Sequence, residues 1–178
     1  SLLSSLHASI PLQCIHFSYY NHSKIKSEQE QKFITDWCSI LKQQYPHVEL
    51  YIYSYELLTR KRQSEYRAMY EQTTRKIRFQ IYRRFQCPIL LGHHLEDTCE
   101  NIFSNLVKRR SFDCLRGIKM KRYDEKEKVE LWRPMLNLSK RVIYETAHQY
   151  GIPYLEDSTP SWSERGKMRD ELIPFLNH

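Results

Sequence analysis

Ile89-Leu90-Leu91-Gly92-His93-His94-Leu95-Glu96-Asp97-Thr98-Cys99-Glu100-Asn101 decides how this chain folds. A short apolar run stops at Gly92, two histidines follow, and a helical pattern then carries Asp97 and Glu100. This is the sequence of a buried strand that turns into a helix. At the C-terminal edge of an open α/β sheet the loops are free of the ladder and the next helix presents unpaired N–H groups, so ligands bind there. Asp97 and Glu100 are spaced to share one helical face. Cys99, Ile102, Phe103 and Leu106 make the other, apolar face. Two carboxylates and the imidazoles of His93 and His94 are therefore expected in one sheet-edge crevice.

Working outward, strands and helices alternate. Ser1–Ser9 reads as a helix already under way. Leu12–Phe17 reads as a strand ending in a polar turn at Ser18–Ser23. Ser27 to about Tyr45 is helical, with Ser27 and Glu30 as a loose capping box and Pro46 as its stop. Val48–Tyr53 is a second strand. From about Ser64 to Arg84 the pattern is a long helix whose buried stripe is Tyr66, Met69, Tyr70, Thr73, Ile77 and Ile81. Arg75 and Arg78 project together beside that stripe, a spacing that a solvated basic face also explains. Cys87–Leu91 is the next strand, and the helix after it runs to about Lys108. Lys108-Arg109-Arg110 complements that helix's dipole and is equally suited to phosphates.

Further on, Ser111–Met120 is a loop or broken helix turning at Gly117, and Lys121–Lys128 is a charged, mobile connector. Val129–Trp132 is a strand. Ser139 caps a helix through Tyr150 that buries Val142, Ile143, Ala147 and Tyr150, and Gly151 with Pro153 ends it. Tyr154–Glu156 is a short strand, Glu156–Pro160 an acidic turn, and Ser163–Leu176 a short helix or turn pair. This alternation gives an α/β fold with a mainly parallel sheet and helices on both faces.

At 178 residues the chain can bury the core of one domain. Its net charge of +7 and pI of about 9.1 suit a polyanionic partner. The 13 tyrosines, several among Arg and Lys, can stack bases or simply edge the core. Five cysteines without a C-x-x-C pair argue against a disulfide framework or a zinc ribbon and read as reduced, mostly buried thiols. No run is apolar for long enough to span a membrane, and no signal peptide is apparent. A cytoplasmic or other reducing intracellular compartment is expected.

These motifs, in this order, resemble the catalytic domain of the tRNA(Ile)-lysidine synthases, members of the PP-loop ATP-pyrophosphatase superfamily. Asn21-His22 matches an Asn-His that ends the family's first strand-turn. Thr74–Phe79 conservatively matches Ala-Arg-x-x-Arg-Tyr, and Gly92–Asn101 matches Gly-His-His-Ala-Asp-Asp-Gln-Ala-Glu-Thr. Leu115–Ile118 resembles Leu-x-Gly-Met, and Arg133–Leu136 resembles Arg-Pro-Leu-Leu. Glu156-Asp157, then Arg165–Arg169 and Pro174, resemble Glu-Asp followed by Arg-Asn-x-Ile-Arg and a late Pro. Glu96 stands where the family has Asp, Asn101 where it has Thr, and Gly166 where it has Asn. The glycine-rich phosphate loop Ser-Gly-Gly-x-Asp-Ser is not in the sequence; Ser1 would be its last residue. Residues 1–178 are thus expected to be a single PP-loop catalytic domain, truncated at the N-terminus.

The resemblance implies a ligase that uses ATP and Mg2+. ATP adenylates the C2 carbonyl oxygen of the wobble cytidine of tRNA(Ile), and the ε-amine of free L-lysine displaces AMP to give lysidine. Asp97 and Glu100 would serve the lysine or the metal. Arg75 and Arg78 would meet phosphate or the activated base. Ser1, Asn21, His22, His93 and His94 would position the nucleotide. Arg133, Arg165, Lys167 and Arg169 would touch the tRNA. No zinc or iron–sulfur cluster and no membrane are expected. Two other readings stay open: a PP-loop enzyme that thiolates tRNA, whose relatives commonly use cysteine pairs that this chain lacks, and a degenerate, non-catalytic domain that binds RNA.

Overall fold

A computed structural model describes residues 12–20, 24–56, 64–155, 164–168 and 171. By its contacts the chain divides into two compact units, Ser1–Gln80 and Ile81–His178. The expected helix at Ser1–Ser9 and most of Glu156–Leu176 lie outside the described residues.

In the first unit, β1 (Leu12–Tyr20) and β2 (Val48–Glu56) pair in parallel through α1 (Lys24–Gln44). Both strands run three residues past the bounds expected of them. The expected turn at Ser18–Tyr20 is strand, because its residues have partners on each face. Ser18 is buried and its Oγ donates to Gln31 Oε1 of α1 at 3.1 Å. On the other face Phe17 and Tyr19 stack on Tyr53 and Tyr55, the residues opposite them in register, at 5.9 and 6.3 Å. Such cross-strand aromatic pairs each add a few tenths to about 1 kcal/mol. Tyr19 also meets Tyr70 edge-on at 6.5 Å. Tyr70 belongs to α2 (Ser64–Phe85), so helices cover both faces of this pair. Ser27 is not a cap: α1 has already begun, and its hydroxyl donates to the Tyr19 carbonyl. Along α2, Ile81 is buried as expected and Tyr70 and Ile77 are half-buried, but Met69 and Thr73 are exposed, and Thr74, Phe79 and Tyr82 are buried instead.

The second unit holds a three-stranded sheet in the order β3 (Ile89–Leu90), β5 (Val129–Trp132), β4 (Lys121–Asp124). β3 and β5 are parallel, and β4 and β5 form an antiparallel hairpin. The stretch expected to be a mobile connector is thus an edge strand and its turn. Asp124 is buried and accepts the Glu127 N–H at 3.2 Å, which closes the turn. Lys121 pairs with Glu130 at 2.9 Å and lies over the Trp132 ring at 4.6 Å. α3 (Leu95–Val107) follows β3, a 3-10 helix spans Phe112–Arg116, and α4 is Lys140–Gln149. Ser139 caps α4 as expected, its Oγ accepting the Val142 N–H at 3.4 Å. Ala147 is buried, whereas Val142 and Tyr150 are exposed. Residues 152–155 form no strand. α5 (Glu164–Lys167) is the last described helix. Of the cysteines only Cys38 is buried; Cys87 is exposed, the other three are half-buried, and all five are free thiols. No helix among the described residues is long and apolar enough to cross a membrane.

Candidate active site

The turn from β3 into α3 is held by backbone bonds from both sides. The Leu91 N–H donates to Trp132 O at 2.9 Å, and the Leu95 N–H donates to Leu138 O at 3.0 Å. Between them His94 takes the N-cap position with extended backbone. Asp97, three residues into the helix, accepts the His94 N–H through Oδ2 at 3.0 Å, which satisfies one of the donors that a helix start leaves open. The His94 ring is caged by carboxylates: Nδ1 lies 2.9 Å from Glu96 Oε2, and Nε2 lies 3.4 Å from Asp97 Oδ2.

The three carboxylates of this turn divide the work. Glu96 reaches out of α3, and both of its oxygens accept the Lys140 N–H, at 3.0 and 2.9 Å. It therefore clasps the first turn of α4, where a negative charge also meets the positive end of the dipole. The arm that is one methylene longer than the family's Asp is what reaches Lys140. Asp97 and Glu100 turn inward instead and are 8% and 3% exposed. With His93, Asn101, Ser104 and Ile118 they line a cavity of about 230 Å³. Asn101 and Ser104 were not anticipated, although positions 97, 100, 101 and 104 recur at the spacing of one helical face. The face expected to be the buried one is looser: Cys99, Ile102 and Phe103 are half-buried and Leu106 is 53% exposed.

A larger cavity, about 310 Å³, opens at the opposite end of β3, beside Tyr82, Arg83, Cys87, Tyr123 and Lys128. It carries no acidic pair on a helix face, and it sits at the N-terminal edge of the strand, where ligands of open α/β sheets do not bind.

The remaining expected site residues scatter. Arg133 is 8% exposed, and its Nη1 donates to Lys119 O at 2.8 Å. Burial, with the Arg122 charge behind it, holds its guanidinium below the ordinary value. Arg75 and Arg78 lie in the first unit; Arg75 is exposed over the Phe79 ring at 4.2 Å, and Arg78 is half-buried rather than solvated. Arg165 and Lys167 lie on α5, with Lys167 exposed. Ser1, Asn21, His22 and Arg169 lie outside the described residues.

The PP-loop domain family matches residues 2–176, across both units. This chain is a PP-loop domain. Among curated relatives, the tRNA(Ile)-lysidine synthase of Oceanobacillus iheyensis is 27% identical, over 84% of this chain and 32% of its own length. That of Staphylococcus epidermidis is 31% identical over 99% of this chain and 41% of its own length. That of Chlamydia muridarum is 31% identical over 60% of this chain and 35% of its own length. The resemblance drawn from the motifs is thus found along most of the chain, and the chain spans 32% to 41% of the length of these relatives. A solved U34-tRNA thiolase from Methanococcus maripaludis, with its 4Fe-4S cluster, aligns with a TM-score of 0.70 over 99% of this chain and 60% of its own, at 16% identity. At that identity the likeness is one of fold, and it agrees with the α/β architecture expected of this PP-loop domain.

Proposed function

We propose that residues 1–178 form one catalytic PP-loop domain of a tRNA-modifying ligase that uses ATP to join L-lysine to the wobble cytidine of tRNA(Ile). The observation that carries this reading is the buried pair Asp97 and Glu100 facing one cavity from a single helix turn. A cavity walled by two carboxylates favours a cation, and the lysine ammonium and Mg2+ are the two cations of this reaction. Mg2+ takes one or two carboxylates and keeps several waters, so Asp97 and Glu100 suit it as a donor set. Bound there it would neutralise phosphate charge. Among the described residues no group of three or more His, Cys, Asp and Glu side chains is placed to hold a metal on its own.

The chain's own groups have these roles in the proposal. Asp97 and Glu100 orient the lysine ammonium or the metal. His93, on the same cavity, positions the base or nucleotide. His94, caged by Glu96 and Asp97, holds the turn in shape. Arg75 and Arg78 serve phosphate or the activated base, Arg165, Lys167 and Arg169 serve the tRNA, and Ser1, Asn21 and His22 serve the nucleotide, whereas Arg133, buried on the Lys119 carbonyl, braces the end of β5 instead of meeting the tRNA. The three curated relatives described above, each a tRNA(Ile)-lysidine synthase, support this reading above thiolation.

The test is release of AMP and pyrophosphate by the complete polypeptide with ATP and a tRNA(Ile) transcript, with and without lysine. Lysine-dependent turnover that Asp97→Asn removes, with the unfolding free energy within about 1 kcal/mol of wild type, is the expected outcome. Wild-type turnover in Asp97→Asn would take that residue out of the site. Tight tRNA binding with no turnover would convert the reading to an RNA-binding domain.

A further inference from the structure

The C-terminal end of α3 leaves apolar and basic groups exposed together. Leu106, Val107 and Phe112 are 53%, 75% and 89% exposed. Lys108, Arg109 and Arg110 lie between them. Arg109 and Arg110 are exposed and make no ion pair with any described residue. The one carboxylate of the segment, Asp113, pairs with Arg116 at 3.3 Å, so within the segment it leaves Arg109 and Arg110 uncompensated. An almost fully exposed aromatic ring beside two exposed arginines is the composition that stacks a base and holds its phosphates.

The surface is held in shape. The Arg110 N–H donates to Asn105 O at 3.0 Å and the Arg109 N–H to Leu106 O at 2.9 Å, the two bonds of a Schellman helix end. α4 ends in the same way, with Ile152 donating to Ala147 O and Gly151 to His148 O. There the left-handed position is Gly151 at φ 61°; in α3 it is Arg109 at φ 48°, a conformation that suits glycine and disfavours arginine. Beneath the turn, buried Asn105 donates to Cys114 O at 2.7 Å, which fixes the 3-10 helix that carries Phe112. The surface is also continuous with the cavity. Lys108 Nζ donates to Ser104 Oγ at 3.1 Å, and Ser104 lines the cavity with Asp97 and Glu100. From Asp97 to Lys108 the helix rises about 16 Å.

We propose that Leu106–Phe112 is a docking surface for single-stranded RNA, from which the strand runs along α3 to the cavity at Asp97 and Glu100. The proposal rests on the tRNA-modifying reading above and adds where the RNA is gripped: Phe112 stacks a base, and Arg109 and Arg110 hold the flanking phosphates.

The experiment is fluorescence anisotropy of the complete polypeptide with an unmodified tRNA transcript across a salt series. Phe112→Ala is expected to weaken binding on the order of tenfold with little change in salt dependence. Arg110→Gln and Arg109→Gly are each expected to flatten the log–log salt slope by about 0.7. Arg109→Gly should at the same time raise the unfolding temperature, because it removes a left-handed arginine, so its weaker binding cannot come from unfolding. If wild type binds the transcript and all three variants bind it equally well, the surface is refuted and the tRNA reading stands. If wild type binds no RNA, both fall. Loss of binding to anionic vesicles with unchanged tRNA affinity would also overturn the proposal.

Discussion

Replacing Glu96 by alanine should destabilise the protein by about 2 kcal/mol without touching the reacting groups. A hydrogen bond to a charged group contributes roughly 1.5–3 kcal/mol and a carboxylate at a helix start about 0.3–1 kcal/mol. The Glu96 side chain is 31% exposed, so solvent screening places the sum near the lower end. For a chain of this size, unfolding entropy near 2.1 cal/mol/K per residue converts that loss to roughly 5 °C in midpoint. Glu96→Asp should lose nearly as much. Removing one methylene draws the carboxylate back by about 1.5 Å, and contacts of 2.9–3.0 Å to the Lys140 N–H become longer than a hydrogen bond. Glu96→Gln, which keeps the reach and one acceptor oxygen, should lose about half. Urea titration followed by circular dichroism measures all three. Glu96→Ala within about 0.5 kcal/mol of wild type would refute the clasp. So would a Glu96→Gln variant of normal stability and no turnover, which would move Glu96 into the chemistry.

Two further outcomes follow from geometry already described. Gly117 has φ 72°, and a Cβ there would stand 2.7 Å from Thr98 Cγ2, so Gly117→Ala should cost roughly 1–3 kcal/mol by thermal or urea unfolding. Burial holds His16 below its ordinary value of 6.5, with Glu30 partly opposing. The unfolded chain therefore takes up this proton first as pH falls. The stability is complete above about pH 6.5, is lost as pH drops towards the folded value, and levels off below it. Urea midpoints measured at about pH 5.5 and about pH 7.5 should differ less in His16→Gln than in wild type, and an equal difference in the two proteins would remove His16 as a cause.

The strand–turn–helix at the site was legible because an apolar run, a glycine and a helical repeat of polar and apolar residues each leave their own mark on the sequence. Periodicity then misled at the next step. It assigns the apolar side of α3 to the interior, whereas Asp97, Glu100 and Asn105 are the buried residues and Leu106 is among the exposed ones. Apolar periodicity weighs hydrophobicity alone, and it does not record that Asp97 takes a donor from the helix start at His94. The hairpin from Lys121 was missed for a related reason. Only Asp124 of its four residues is buried, so there is no apolar alternation to read. Glu96 was noticed as a departure from the family, but its purpose became visible only with Lys140, 44 residues later, in place.

Asp97 is at once a wall of the cavity and the acceptor of the His94 N–H at the start of α3. Its carboxylate is therefore oriented when the helix forms, before any ligand arrives. Water around a free carboxylate must rearrange as positive charge approaches, and that rearrangement adds to the barrier. A carboxylate already anchored to a backbone amide has far less rearranging to do, so the reorganisation energy of this half of the site is settled during folding.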